Sequence, residues 1–329
     1  METQILALAK ASALDAACRT LAGGGLVAVP TETVYGLAAD ATDGVAVARI
    51  YEAKGRPSFN PLIAHVADMD MARRHAVFDD LALRLAEAFW PGPMTLVLPA
   101  REASTIHPLV CAGLPTVALR MPLGPLGDIA RKIERPLAAP SANPSGRVSA
   151  TRADHVLRGL GGRIEAILDG GPCRLGLEST ILKPENGQVF LLRPGALPAE
   201  DVAALIGAPV LKAGSEIQAP GQLASHYAPF GRIRLNARSV EPGEHLIAFG
   251  SQELPGQGQA RAVLNLSDTG DLREAAAALF DALSSFDAPD IERIAVAAIP
   301  NEGLGAAIND RLARAAAPRD TQEDTTWTR

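Results

Sequence analysis

The sequence predicts an α/β protein in two parts, a longer mixed sheet carrying helices followed by a small parallel sheet with helices of its own. Three observations carry this. The chain has 329 residues, 47% of them apolar, more than one small core needs, so two domains are the natural reading. Aromatics make up only 4% while Ala, Val, Leu, Gly and Pro abound, which suits helices layered on a sheet and disfavours an all-β sandwich. Short apolar runs alternate with helical periodicity along most of the length.

Taken in order, a helix is expected from about Ser12 to Leu21, ended by Gly23, Gly24 and Gly25, and Leu26 to Val29 forms a short strand running into Pro30. The segment PTETVYGLAAD then makes a turn between that strand and a helix from Asp43 to Ala53. LIAHV at 62–66 reads as a strand, and Asp70 to Phe89 as one amphipathic helix stopped by PGP at 91–93. Strands follow at 94–98, 116–120, 137–140, 164–168, 178–182 and 188–192; the last two are adjacent, so the sheet should be mixed. The first domain closes near Ile206 and spans 1–207. Residues 208–230 have a Pro and Gly content that breaks both periodicities and marks a linker. Beyond it, strands at 245–249, 261–266 and 293–299 alternate with helices at 271–285 and 304–316, a small parallel α/β domain over 231–318. The tail at 319–329 has no apolar periodicity and is expected to be disordered.

Charge and cysteine usage narrow the function. A net charge of −6 argues against a sequence-independent grip on nucleic acid, so any basic site must be local. Cys18, Cys111 and Cys173 are odd in number and far apart, which suggests neither a disulfide framework nor a zinc site and fits a reducing cytosol. The first residues lack a basic start and apolar core, and no apolar run is long enough to span a bilayer, so a cytoplasmic protein without membrane attachment is expected.

Polar residues worth attention cluster after strands, where open α/β sheets place ligands. In PTETVYG, Thr31 and Thr33 are equally good helix caps. In KGRPSFNPLIAH, Lys54, Arg56 and Asn60 sit in a Gly and Pro segment, either a polyphosphate clamp or a solvated charged loop. His65 alternates with apolar residues and by itself reads as a core histidine. Arg120 closes the run TVALR with a partly buried stem and needs an anion, which a substrate carboxylate or a protein one would supply. SANPSG presents Ser141, Asn143 and backbone N–H groups; ESTI and LLRPG add Ser179, Thr180 and Arg193. There is no P-loop, no GxGxxG opening a first helix and no GxSxG elbow.

In this order PTETVYGLAAD, KGRPSFNPL, FWPGPMTLVL, LRMP, PSANPSGR, LESTIL and LLRPG resemble the motif series of the YrdC-type threonylcarbamoyl-adenylate synthases. APGQLASHYAP resembles the linker of the longer members, and AINDRLARAA continues the likeness near the C-terminus. The resemblance implies a YrdC-like twisted mixed sheet, a Rossmann-like second domain, and a nucleotidyltransferase that joins L-threonine, bicarbonate or CO2 and ATP, with magnesium carried by the ATP, to threonylcarbamoyl-AMP and pyrophosphate. It places Thr33, His65, Arg120, Ser141 and Ser179 at threonine. It places Lys54, Arg56, Asn60, Thr116, Asn143, Thr151, Arg193 and Tyr227 at ATP. Catalysis would rest on alignment and charge, with Lys54, Arg56 and Arg120 foremost and Tyr227 on a lid. The product would pass to tRNA threonylcarbamoyltransferase proteins that modify the adenosine beside the anticodon, with no stable grip on tRNA by this chain. Two rivals are an RNA-binding translation or ribosome-maturation factor and a carbamoyltransferase of hydrogenase maturation, the latter lacking here its acylphosphatase and cysteine-rich modules.

Overall fold

The structure is a computed structural model and describes residues 1–57, 59–214, 219–221 and 225–318. The first part of the chain runs β1 (Gln4–Ala7), α1 (Ala11–Ala22), β2 (Val27–Val29), β3 (Gly36–Asp40), α2 (Gly44–Lys54), β4 (Ile63–His65), α3 (Met69–His75) and α4 (Asp80–Phe89). It continues through β5 (Met94–Pro99), α5 (Pro108–Cys111), β6 (Thr116–Arg120), α6 (Pro125–Ile133), β7 (Leu137–Ala138) and α7 (Ala153–Leu160). β8 (Ala166–Asp169), β9 (Thr180–Glu185), β10 (Gln188–Arg193), α8 (Ala199–Ile206) and β11 (Leu211–Lys212) complete it. These strands form one 11-stranded sheet, ordered β1-β8-β2-β3-β7-β4-β6-β5-β9-β10-β11. It is mixed: β4 and β6 are parallel, as are β5 and β9, while β5 and β6 are antiparallel.

The second part holds β12 (Arg232–Ala237), β13 (His245–Ala248), β14 (Val263–Asn265), α9 (Leu272–Ser285), β15 (Arg293–Ala297) and α10 (Leu304–Ala316). Its four strands, ordered β12-β15-β13-β14, pair only in parallel, as the alternation of strand and helix predicts.

Three expectations are corrected. The long helix over 70–89 is two helices: Asp79 caps α4 by accepting from Ala82 N at 2.7 Å, and Val77 N donates to Pro99 O at 2.9 Å, so the chain between them is tied to the end of β5. GLAAD is strand β3, antiparallel to β2, so the PTETVY turn joins two strands and does not cap a helix. The linker opens with β11, which pairs parallel to β10 at the sheet edge. The expectations for 215–218, 222–224 and the tail at 319–329 lie outside the described residues.

The sheet has two unlike faces, and strand alternation decides which residue meets which. Ala64, Leu96, Leu98, Val117, Leu119 and Leu182 join the main core under the helices. Their neighbours Ile63, Val97, Ala118 and Ile181 point the other way into a small separate cluster with Leu192 and Ala219. His65 and Arg120, two residues on from Ile63 and Ala118, continue that second face. The register of β9 and β10 shifts between Leu191 and Arg193, a bulge that brings Arg193 opposite Ile181 on the same face.

Candidate active site

Arg120 and His65 end β6 and β4 side by side. Arg120 is 4% exposed, its Nε donates to Gly92 O at 3.2 Å, and its Nη2 lies 2.7 Å from Glu32 Oε1. The approach is off the N–H direction, so this is a close ion pair without an aligned hydrogen bond, and neither Glu32 oxygen accepts one from the described residues. The anion that a buried arginine requires is thus Glu32, the carboxylate of PTETVYG. His65 is buried; burial and the adjacent Arg120 push its pKa down to about 3, so the ring is neutral, and its Nδ1 has no partner among the described residues.

Glu32 is aimed by a hydroxyl turn. Thr31 Oγ1 accepts from Thr33 N at 3.1 Å and Val34 N at 3.3 Å and donates to Val34 O at 2.7 Å. Thr33 is fully buried, its Oγ1 2.7 Å from that of Thr31.

The KGR segment divides its cations. Lys54 is the last residue of α2, not a loop residue, and its Nζ donates to Ser141 O at 2.6 Å and to Asn143 O. Burial, with Arg56 nearby, pulls its pKa well below the ordinary lysine value. Lys54 therefore ties the SANPSG loop to α2. Arg56 follows Gly55, whose φ of 59° ends the helix, and donates from Nη2 to Pro61 O at 2.9 Å and from Nε to Asn60 O at 3.3 Å. The reading of that segment as a solvated charged loop does not survive, since Lys54 is 1% exposed and Arg56 8%.

Arg193 Nη2 donates to Ser179 O at 2.8 Å and Nη1 to Pro220 O at 3.4 Å. Ser179 Oγ also lies 2.8 Å from Thr95 Oγ1. Arg56 and Arg193 thus meet carbonyl and hydroxyl oxygens, while Arg120 has a carboxylate. Glu178, the neighbour of Ser179, accepts from Ser149 Oγ at 2.6 Å and from Arg311 Nε at 2.9 Å. Burial would raise its pKa, but Arg311 and then Arg193 bring it down to about 2, so it is ionised.

These groups enclose one cavity of about 50 Å³, walled by Arg56, His65, Arg120, Ser141, Ser179 and Arg193 together with Glu178. Pro220, Gly221, His226 and Tyr227 of the linker close it. Tyr227 is 1% exposed and its ring packs against Phe280 at 5.4 Å; burial drives the His226 pKa down to about 3. At about 50 Å³ the cavity is smaller than the roughly 300–1,000 Å³ of an ordinary small-molecule site.

The cavity therefore gathers seven of the thirteen residues that the sequence singled out, Arg56, His65, Arg120, Ser141, Ser179, Arg193 and Tyr227. Thr33, Lys54, Asn60, Asn143 and Thr151 are buried but do not line it, and Thr116, at the start of β6, is half-buried. Both side-chain polar atoms of Asn60 and the Oδ1 of Asn143 are buried with no partner among the described residues. Sequence reasoning missed the roles of Glu32, Glu178 and Arg311. Glu32 carried a signal, a carboxylate inside the first motif; Arg311 carried another, an arginine on the apolar stripe of a helix.

The family model described as telomere recombination, for Sua5, YciO and YrdC proteins, matches residues 19–195. The model for the C-terminal domain of threonylcarbamoyl-AMP synthase matches 197–317. The threonylcarbamoyl-AMP synthase of Bacillus subtilis is 41% identical over 89% of this chain and 90% of its own length. That of Pyrococcus abyssi is 41% identical over 90% of this chain and 92% of its own. Among solved structures, P. abyssi Sua5 complexed with L-threonine superposes with a TM-score of 0.83 at 38% identity, covering 92% of this chain and 94% of that one. Matching motif order, both sheets and nearly the whole length, the chain belongs to the Sua5/YrdC family of threonylcarbamoyl-AMP synthases, in its long two-domain form.

Proposed function

We propose that this chain makes threonylcarbamoyl-AMP and pyrophosphate from L-threonine, bicarbonate or CO2, and ATP. The observation that carries the reading is the convergence of Arg56, Arg120 and Arg193 on one cavity from three separate loops and strands. A likeness to a protein crystallised with L-threonine supports the amino-acid half of the site.

Arg120 takes the threonine carboxylate, joining or displacing Glu32, while Thr33, Ser141 and Ser179 read the side-chain hydroxyl. The uncharged amine adds to CO2 and loses a proton, giving a carbamate whose oxygen attacks the α-phosphorus of ATP; pyrophosphate leaves. Arg56 and Arg193, whose guanidinium groups bond no carboxylate among the described residues, stabilise the phosphates. Lys54, Asn60, Thr116, Asn143 and Thr151 complete the nucleotide side, Lys54 by fixing the loop that carries Asn143. Magnesium arrives on ATP; no group of three or more His, Cys, Asp or Glu that could hold a metal occurs among the described residues. The segment around Tyr227 acts as a lid that opens for ATP and then shields the labile mixed anhydride from water. The division at 207/208 and 230/231 belongs to the same reading, as do a cytoplasmic location and hand-over to a tRNA threonylcarbamoyltransferase. Among the described residues no helix is long and apolar enough to cross a membrane.

The RNA-binding alternative is disfavoured, because Arg56, Arg120 and Arg193 are at most 8% exposed and a duplex backbone cannot reach them. The test is to incubate the protein with ATP, magnesium and bicarbonate, with and without threonine, and measure pyrophosphate. Threonine-dependent release is expected, and its absence overturns the reading.

A further inference from the structure

The segment AINDRLARAA has no part in the reaction as drawn, yet it sends a side chain to the cavity wall. On α10, Ile308, Leu312 and Ala315 face the core at helical spacing, and Arg311 lies on that same stripe with 0% exposure, the largest fully buried side chain described. A cation in that position requires an anion. It finds Glu178, 133 residues earlier in the chain, through Nε to Oε2 at 2.9 Å, and its Nη1 holds Asp310 Oδ2 at 2.7 Å. Its guanidinium also lies 5.3 Å from the centre of the Tyr227 ring.

Glu178 stands between two arginines. Arg311 meets its carboxylate directly, whereas Arg193 bonds the neighbouring Ser179 through O and Oγ. We propose that Arg311 is a positioning residue of the synthase cavity: by satisfying Glu178 from the C-terminal domain, it keeps the Arg193 guanidinium off that carboxylate, on the oxygens of Ser179 and Pro220, and available to the nucleotide phosphates. Without Arg311, Glu178 is a buried carboxylate with Arg193 as the other cation acting on it, and a swing of that guanidinium onto it removes a phosphate ligand while leaving Arg120 in place; the threonine side feels the change only through the bonds that Ser179 loses. The depressed Glu178 pKa, to which Arg193 already contributes after Arg311, is in keeping with that competition. The C-terminal domain thereby has a chemical duty in a cavity otherwise built by the first sheet and the linker.

This inference rests on the synthase reading, so the unaltered full-length chain is assayed first; lack of threonine-dependent pyrophosphate release fails that reading and not this one. With activity in hand, Arg311→Gln is expected to raise KM for ATP about tenfold or more while KM for threonine rises by no more than about threefold, the part that reaches it through Ser179. Adding Glu178→Gln removes the competing charge and returns KM for ATP to within about threefold of the unaltered chain. Arg311→Lys, which keeps the charge but loses the fork, falls between. Circular dichroism and thermal melting report the folded fraction in each case. The proposal is overturned if Arg311→Gln binds ATP normally, if both KM values rise together, if Glu178→Gln gives no rescue, or if activity falls only in step with folded protein.

Discussion

The same few strands present one face that is largely apolar and another that carries charges, and comparing them separates what holds the fold from what performs chemistry. Leu119 and Arg120 are adjacent in β6. Leu119 is fully buried among helices and gains by leaving water, whereas Arg120 is 4% exposed and tolerable only because Glu32 and the carbonyl of Gly92 meet it. Alternation lets one short segment serve both ends without compromise. The charged face carries only a small buried apolar cluster among the described residues, Ile63, Val97, Ala118, Ile181, Leu192 and Ala219, with Ala213 packed against it.

The contrast can be broken most severely at Arg120. Arg120→Ala should lower threonine-dependent turnover on the order of a hundredfold or more, read as kcat/KM from pyrophosphate release, while circular dichroism remains that of the folded chain. Nearly as large is the discrimination expected of the hydroxyl-lined side: valine in place of threonine should react at least about a hundredfold more slowly, because Ser141 and Ser179, which line the cavity, would lose the substrate hydroxyl as a hydrogen-bond partner. Equal rates would remove the hydroxyl recognition from the mechanism. On the helix face the signature inverts. Leu119→Ala should cost about 2–5 kcal/mol of stability in denaturant unfolding, with KM for both substrates unchanged in the folded fraction.

The smallest expected effect is on pH. The pKa values of His65 and His226 are pushed down to about 3 from 6.5, burial being the first cause in both. The unfolded chain therefore binds more protons over that interval, and stability should fall as pH drops below about 6.5. Glu178, also depressed, contributes stability that is present above its unfolded value of 4.5 and lost as pH falls toward 2. Melting temperatures from pH 7 to 4 should decline accordingly, with a shallower slope in His226→Asn; a slope unchanged by that substitution would show that the linker histidine does not carry the effect.

Much of the first sheet was legible because a strand's apolar run and a helix's period are local properties. β6 was expected at 116–120 and stands there, and the second sheet's parallel pattern followed from strand and helix alternation. The interruption between α3 and α4 was not legible, since it depends on Val77 finding Pro99, and β3 was hidden inside a motif read as a turn. The site divides similarly. Motif order named the residues, but the two faces of the sheet decided which of them meet: Lys54 faces the carbonyls of a loop, and Arg56 the cavity, though only Gly55 separates them.

The amino-acid sequence determined the elements, the family and the list of polar residues, because periodicity and motif order are written along the chain. Only the tertiary structure decided how each buried charge is satisfied. Arg120 with Glu32 and Arg311 with Glu178 join residues 88 and 133 positions apart, contacts that no local pattern encodes and that arise when the sheet and the last helix close. A buried ion must find its counter-ion in space, and at the cavity Arg56 and Arg193 make no ion pair among the described residues.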